Sequence, residues 1–195
     1  MIPLQSSVTR IFSKAFSFRF VSIQGKTLQC ITLLWTLLKQ GPLGHPGIRR
    51  ALVVTPSSLT KNWKSEFLKW LKSTRIQPYC VGDHKQKAAD IIRDWSNAPV
   101  VRSVLIISYE QFRQHAALFK DISVGVVICD EGHRLKNSSS KITKALKKIK
   151  CEKRVILSGT PIQNDLEEFH TMCVFVNPGC LGDIPGKSNL VRFPS

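Results

Sequence analysis

Acidic side chains are scarce in this sequence of 195 residues. It holds 13 aspartates and glutamates against 29 lysines and arginines, which gives a formal net charge of +16, and no acid precedes Glu66. This shortage excludes an overall neutral or acidic protein and predicts a polyanionic partner, most simply nucleic acid. A basic tail on a neutral domain is the alternative, but the basic residues are spread along the whole chain.

Long apolar runs and paired cysteines are missing as well. The longest apolar stretch, around Ile31–Leu38, is too short to cross a membrane, so no membrane partner is predicted. The six cysteines form no CxxC pair and have no metal-ligand spacing, and Cys30, Cys129 and Cys173 lie within apolar stretches. This usage predicts a reduced intracellular protein whose cysteines serve mainly as small apolar residues. An apolar fraction of 43% excludes a disordered chain.

The first 24 residues form a divergent N-terminal segment. They are rich in Ser, Arg and Phe and contain no acid, a composition typical of a mitochondrial presequence, although sequence foreign to the domain is an alternative. Phe16, Phe18 and Phe20 alternate with other residues, which predicts an edge-like strand. From Ile184 onward the tail has no periodic pattern and is predicted to be loose.

Apolar runs and helical patterns alternate between these two ends, in residues 25–183. Buried strands are predicted at Ala51–Val54, Ile76–Val81, Ser103–Ile107, Val126–Cys129 and Arg154–Leu157. Helical spacing is found at Leu28–Leu38, Leu59–Leu71, Lys85–Trp95, Tyr109–Phe119, Ser138–Ile149 and Leu166–Val176. Strands that alternate with helices predict a single α/β lobe, with a parallel sheet covered by helices on both faces.

Two adjacent carboxylates, Asp130 and Glu131, follow the strand Val126–Cys129. Ligands of open α/β sheets bind at the carboxyl ends of the strands. Asp130 is predicted to hold Mg²⁺ through its water shell, and Glu131 to orient or deprotonate the water that attacks a γ-phosphate. An ordinary turn at a strand end is the alternative, because Asp and Gly are common there.

A second candidate motif, Gly25–Lys26–Thr27, precedes the first predicted helix. The start of a helix favours phosphate groups, so Lys26 is predicted to reach the β- and γ-phosphates of ATP and Thr27 to ligate magnesium. The motif is incomplete, because the position five residues before Gly25 is Phe20 instead of glycine. A chance helix start is the alternative to a remnant of a phosphate loop.

Hydroxyl groups mark the ends of three other strands. Thr55 is predicted to be an N-cap, with Pro56 in the first helical position. We assign the nucleic-acid contacts to hydroxyls and a lysine near these strand ends, namely Thr55, Ser57, Ser58, Lys61 and Ser108. A plain capped helix with a solvated lysine face is the alternative. Coupling between nucleotide and nucleic acid is assigned to His133, Ser158, Gly159 and Thr160, with a simple turn or a packing histidine as the alternative.

Five segments occur in an order that resembles a known family. They read GKT, LVVTP, LIISYE, ICDEGHRLKN and ILSGTPIQNDLEEF, and resemble the first RecA-like lobe of SWI/SNF-type superfamily-two ATPases. The DEGH box and CEKRVILSGTPIQNDLEEF are similar to the Rad-fifty-four group of recombination-repair translocases. The resemblance implies a RecA-like three-layer domain, ATP hydrolysis with Mg²⁺, double-stranded DNA as the track, a recombinase partner and a nuclear location.

Several parts of the family pattern are absent from the sequence. Where the family has a segment resembling DEMGLGKT, residues 20–27 read FVSIQGKT, and neither the adenine-contacting segment nor the second lobe is present. We therefore expect a truncated ATP-binding lobe with weak or no hydrolysis of its own. One alternative is a DNA- or partner-binding module that has lost ATP binding. Another is a gene-model fragment that does not fold stably.

Overall fold

Five parallel strands form one sheet in the computed structural model, which describes residues 25–40, 45–82, 86–135, 140–159 and 166–178. The strands are β1 Ala51–Thr55, β2 Tyr79–Cys80, β3 Val104–Ser108, β4 Ser123–Cys129 and β5 Lys150–Ile156. Their order across the sheet is β2-β3-β1-β4-β5. Each sequence-adjacent pair of strands is joined through helical segments, as parallel pairing requires. The predicted strand around Phe16–Phe20 and the predicted loose tail lie outside the described residues.

Six α-helices cover the two faces of this sheet. They are α1 Lys26–Lys39, α2 Thr60–Arg75, α3 Ala88–Asn97, α4 Tyr109–Gln114, α5 Lys141–Lys147 and α6 Leu166–Val176. Alternate strand residues divide the core in two, because successive side chains of a strand point to opposite faces. Ala51 and Val53 pack with α1 and α2, whereas Leu52 and Val54 pack with residues from α3 to α6. The predicted three-layer α/β fold is confirmed.

The buried strands match their predictions more closely than the sheet edges do. Every residue of β1 and β3 is buried, as their uninterrupted apolar runs predict. β5 begins at Lys150 instead of Arg154, because its first half is an outer strand whose polar side chains remain exposed or half-buried. β2 is reduced to two residues. Among the described residues, no helix is long and apolar enough to cross a membrane.

The start of α2 differs from the prediction. Thr55 is the last residue of β1, and a 3-10 turn, Ser57–Leu59, intervenes before α2 begins at Thr60. The predicted N-cap role of Thr55 is therefore wrong. The Thr60 hydroxyl instead donates to the carbonyl of Ser57 at 2.9 Å and ties the turn to the helix. α2 is also interrupted near its end, where Lys72 has a φ of 52°.

Candidate active site

The carboxyl ends of four neighbouring strands meet at one edge of the sheet. Thr55 pairs in register with Ser108, and beyond β4 and β5 the chain continues into Asp130 and Ser158. Strand-like bonding extends into this edge, because the Asp130 amide donates to the Val54 carbonyl at 2.8 Å. Four of the segments singled out from the sequence are thus adjacent in space, as the parallel topology predicts.

The carboxylate of Asp130 is almost buried and is held by three donors. The side chain is 7% exposed. Its Oδ2 accepts a hydrogen bond from the Trp63 indole Nε1 at 2.8 Å and another from the Thr55 hydroxyl at 3.2 Å. Its Oδ1 accepts the backbone N–H of Glu131 at 3.0 Å. Hydrogen bonds to an ionised carboxylate are stronger than neutral ones, so this group has one well-defined orientation.

A fourth contact fixes the backbone of Asp130 from the opposite face of the sheet. The hydroxyl of Tyr109, at the start of α4, donates to the Asp130 carbonyl at 2.8 Å. Burial raises the pKa of Tyr109 well above its ordinary value, and the negative charge of Asp130 raises it further. The tyrosine therefore remains a neutral donor at physiological pH. Asp130 is anchored between the helix layers on both sides.

Glu131 has a backbone conformation that is rare for a residue other than glycine. Its φ is 52°, in the left-handed region, which costs about 1–2 kcal/mol for an L-residue. The next residue, Gly132, leaves no room for a side chain, because a Cβ there would collide with Cγ2 of Ile156. The Gly132 amide donates to the Leu157 carbonyl at 2.6 Å. This sharp turn fixes the direction in which the Glu131 carboxylate leaves the strand.

Lys26 faces this carboxylate across Gly159. A Cβ built on Gly159 would lie 3.1 Å from Nζ of Lys26 and 3.5 Å from Oε1 of Glu131. The ends of the lysine and glutamate side chains therefore both lie within 3.5 Å of one point beside Gly159. Gly25, directly before α1, has a φ of 92°, a conformation that glycine adopts without strain. The structure thus brings the GKT motif and the acidic pair together; the roles of these residues remain predictions.

Cys30 is a neighbour of the site that the sequence did not identify as one. It is 1% exposed on α1, and burial raises the pKa of its thiol to about 12, with a further contribution from the negative charge of Asp130. The thiol stays protonated at physiological pH and acts as a small apolar residue. Thr27 lies in the first turn of the same helix and is partly buried.

Two of the five predicted nucleic-acid contacts have other partners. Thr55 is fully buried and its hydroxyl donates to Asp130, so its side chain is out of reach of a DNA strand in this structure. Ser108 is 5% exposed, and its hydroxyl accepts the Gln111 amide as the N-cap of α4. DNA contact by these two side chains stays a prediction, and their burial and internal hydrogen bonds argue against it. Ser57, Ser58 and Lys61 are exposed around the start of α2.

Two of the predicted coupling residues, His133 and Gly159, lie beside Glu131. His133 lies on a 3-10 turn, Gly132–Leu135, with its Nδ1 3.3 Å from Oε2 of Glu131. Leu135, the last residue of this turn, is fully buried. Gly159 lies beside Glu131, and Ser158 directly precedes Gly159 in the chain. Thr160 lies outside the described residues.

Trp63 and Tyr109 are the site residues that the sequence analysis missed. The sequence analysis placed Trp63 inside the helical pattern Leu59–Leu71 and Tyr109 at the start of the pattern Tyr109–Phe119, with no further role for either. A buried indole or phenol usually finds a hydrogen-bond partner, and that rule was the available signal. The partner itself lies 67 residues away from Trp63 in the chain, which local patterns do not encode.

The donor set fits a magnesium–nucleotide complex. In the described part of the chain no three His, Cys, Asp or Glu side chains cluster as metal ligands. Mg²⁺ is commonly bound by one or two carboxylates together with waters and substrate phosphates, so a full protein cage is unnecessary. Oδ2 of Asp130 already has two donors, whereas Oδ1 has one and keeps acceptor capacity. Lys26 supplies the positive charge that phosphates need.

Comparison with known proteins identifies relatives across most of the chain. The SNF2-related domain profile matches residues 24–194. The DNA repair and recombination protein RAD54B is 54% identical over 172 residues in Gallus gallus and 51% identical over 171 in Homo sapiens. The DNA repair protein rhp54 of Schizosaccharomyces pombe is 49% identical over 164 residues. These matches cover 87%, 87% and 81% of this chain, but only 18%, 18% and 19% of the relatives.

A solved structure has the same fold. The Sulfolobus solfataricus SWI2/SNF2 ATPase core in complex with dsDNA superimposes with a TM-score of 0.69, at 24% identity. The match covers 88% of this chain and 33% of that protein. The architecture described above is therefore an established one, and the chain spans about a fifth of the length of the curated relatives.

Proposed function

Because the chain belongs to the SNF2-related domain family, with relatives among DNA repair and recombination proteins, we propose that it is the ATP-binding lobe of a DNA translocase. The lobe would comprise residues 25–183 and act on double-stranded DNA in homologous recombination, in the nucleus, beside a recombinase partner. The observation that carries the proposal is the approach of Lys26 and Glu131 to one point beside Gly159, next to the anchored Asp130.

Each residue at this edge has a role that its position supports. Lys26 would bind the terminal phosphates of ATP, and Asp130, through Oδ1, would hold a water of the Mg²⁺ shell with Thr27 as a further ligand. The ion, when bound, neutralises charge on the phosphates. Glu131 would orient the attacking water or accept a proton from it. Its carboxylate is partly exposed, which leaves room for that water. His133 would steady that carboxylate.

Turnover by this chain alone is expected to be low. Phosphoryl transfer depends on positioning and on positive charge that stabilises the transition state. On the family pattern, part of that charge comes from arginines of a second lobe, separate from the lobe proposed here. We therefore expect binding of Mg·ATP without hydrolysis at the rate of a two-lobed enzyme, with or without DNA.

Calorimetry with a non-hydrolysable ATP analogue and Mg²⁺ tests the proposal. Lys26→Ala should lower the affinity by about tenfold or more, the value of one lost hydrogen bond to a charged group. Lys39→Ala, at the far end of the same helix, is the matched control and should leave the affinity unchanged. Absence of nucleotide binding by a chain that unfolds cooperatively would refute the proposal.

A DNA- or partner-binding module without nucleotide is the second candidate. The observation that favours it is the altered phosphate loop, in which Phe20 stands where the general pattern has a glycine and Ile23 stands where the family segment has one. That module would bind duplex DNA with an affinity that falls steeply as salt concentration rises, because its net charge is +16. Salt-dependent DNA binding together with no response to Mg·nucleotide would support it over the first candidate.

A further inference from the structure

The start of helix α2 is a candidate DNA-binding surface. About one turn later, the same helix carries Trp63, which donates a hydrogen bond to Asp130. Ser57, Ser58 and Lys61 are exposed to solvent there. Trp63 is 1% exposed and donates its indole N–H to Asp130 at 2.8 Å. Residues two apart lie about 200° apart around a helix axis, so Lys61 and Trp63 occupy nearly opposite sides of the same turn.

The link between these two sides is short and stiff. The Thr60 hydroxyl bonds the Ser57 carbonyl at 2.9 Å, and the Leu59 amide bonds the Pro56 carbonyl at 2.9 Å. The break in α2 comes only at Lys72, so Trp63 belongs to the same uninterrupted helical segment as Lys61. A displacement of the turn at Ser57 would therefore move the indole with it.

Trp63 also determines which oxygen of Asp130 remains available. A carboxylate oxygen has two lone pairs, and those of Oδ2 are taken by Trp63 and Thr55. Oδ1 receives one backbone donor and keeps a lone pair that could accept from a metal-bound water. Hydrogen bonds weaken steeply outside a narrow range of distance and angle, so a small shift of the indole would remove the shorter of the two hydrogen bonds to Oδ2 and loosen the orientation of the carboxylate.

We propose that Trp63 is a positioning residue through which DNA contact at the start of α2 controls the metal-holding geometry of Asp130. The inference depends on the proposed nucleotide function and adds a route of regulation to it. A tryptophan that merely fills the core would need a hydrogen-bond partner too, but any buried carbonyl would serve. Trp95 is such a case, since its indole donates to the Ser103 carbonyl at 2.9 Å.

Indole ¹H–¹⁵N NMR resonances of the wild-type chain give a direct readout. The chain has four tryptophans. The Trp63 resonance should shift on addition of the ATP analogue with Mg²⁺, should shift less with the analogue and EDTA, and should shift again with a short DNA duplex. Trp95, fully buried at the opposite edge of the sheet, should not move. Shifts at Gly25 and Lys26 with none at Trp63 would refute the coupling but leave nucleotide binding intact.

Two matched variants test the same coupling by affinity. Trp63→Phe keeps an aromatic ring and removes the donor, and Trp95→Phe makes the same change at the far edge. We expect Trp63→Phe to weaken binding of the Mg²⁺-loaded analogue by about tenfold, one charge-assisted hydrogen bond, with little effect on the Mg²⁺-free analogue. Trp95→Phe should leave the ratio of these two affinities unchanged.

The effect of DNA completes the test. Saturating duplex DNA should change the affinity for the Mg²⁺-loaded analogue, and coupling of this kind is reciprocal. Trp63→Phe should bring that change close to zero, whereas Trp95→Phe should preserve it. Equal coupling in both variants, or none in the wild type, would overturn the inference. No binding of the analogue by the folded wild type would instead overturn the proposed function. If Trp63→Phe does not fold, the wild-type resonances decide.

Discussion

Replacement of Thr55 by valine separates two roles for this residue. Valine has nearly the same shape as threonine and favours strands equally well, so β1 should be preserved. The substitution removes the hydroxyl that donates to Asp130 at 3.2 Å. If Thr55 supports the carboxylate, the free energy of unfolding falls. If its hydroxyl contacts DNA, stability is unchanged and DNA affinity falls instead.

The expected loss of stability follows from the burial of both partners. Thr55 is fully buried and Asp130 is 7% exposed, so water does not replace the lost donor. A hydrogen bond to a charged group contributes about 1.5–3 kcal/mol, and burial of a methyl group in place of the hydroxyl returns up to about 1 kcal/mol. We expect Thr55→Val to lower the free energy of unfolding by about 2 kcal/mol.

A double-mutant cycle assigns this loss to the pair. Urea unfolding is followed by far-UV circular dichroism for the wild type, Thr55→Val, Asp130→Ala and the double variant. In the Asp130→Ala background the threonine substitution should cost less than about 0.5 kcal/mol, which gives a coupling energy near 2 kcal/mol. Equal costs in both backgrounds, or a single-variant loss below about 0.5 kcal/mol with weakened DNA binding, would refute the assignment of Thr55 as a support.

Two further predictions concern the backbone turn and the buried thiol. Gly132→Ala should lower the free energy of unfolding by about 3 kcal/mol through its collision with Ile156, whereas Gly159→Ala, which meets only the ends of the flexible Lys26 and Glu131 side chains, should cost less than about 1 kcal/mol. For Cys30 the folded pKa is raised from 9.0 to about 12, so its stabilising contribution is intact below pH 9 and is lost progressively as pH rises towards 12. Over that window Cys30→Ala should gain stability relative to wild type by about 1.4 kcal/mol per pH unit in denaturation series, and parallel curves would contradict the assignment.

Local patterns were sufficient for the sheet and for the position of its functional edge. Runs such as Leu105–Ile107 and Val126–Cys129 are apolar at every position because both faces of the sheet are covered, and the structure confirms these strands. The first half of β5 escaped prediction because an outer strand does not need apolar side chains. The proximity of Lys26 and Glu131 could be predicted only because parallel topology brings the carboxyl ends of strands to one edge of the sheet.

The hydrogen-bond partners at the site were beyond the reach of such patterns. Threonine is a residue type that N-caps favour, yet the Thr55 hydroxyl donates to the carboxylate of Asp130, 75 residues later in the chain. An N-cap hydroxyl accepts from a backbone N–H, whereas this hydroxyl donates to an ionised acceptor, which makes a stronger hydrogen bond than a neutral one. The left-handed backbone of Glu131 is likewise unpredictable from its residue type, since only the close approach of Gly132 to β5 imposes it.

The shared anchorage of Asp130 has a consequence for the reading of genetic screens. Thr55, Trp63 and Tyr109 are scattered along the sequence, and none has a side chain capable of the chemistry itself. A substitution at any of the three would nevertheless disturb the same residue, Asp130, and should give the same phenotype. The effects of such substitutions should therefore be less than additive when they are combined. This non-additivity would identify Asp130 as their shared partner, although the three positions are far apart in the sequence.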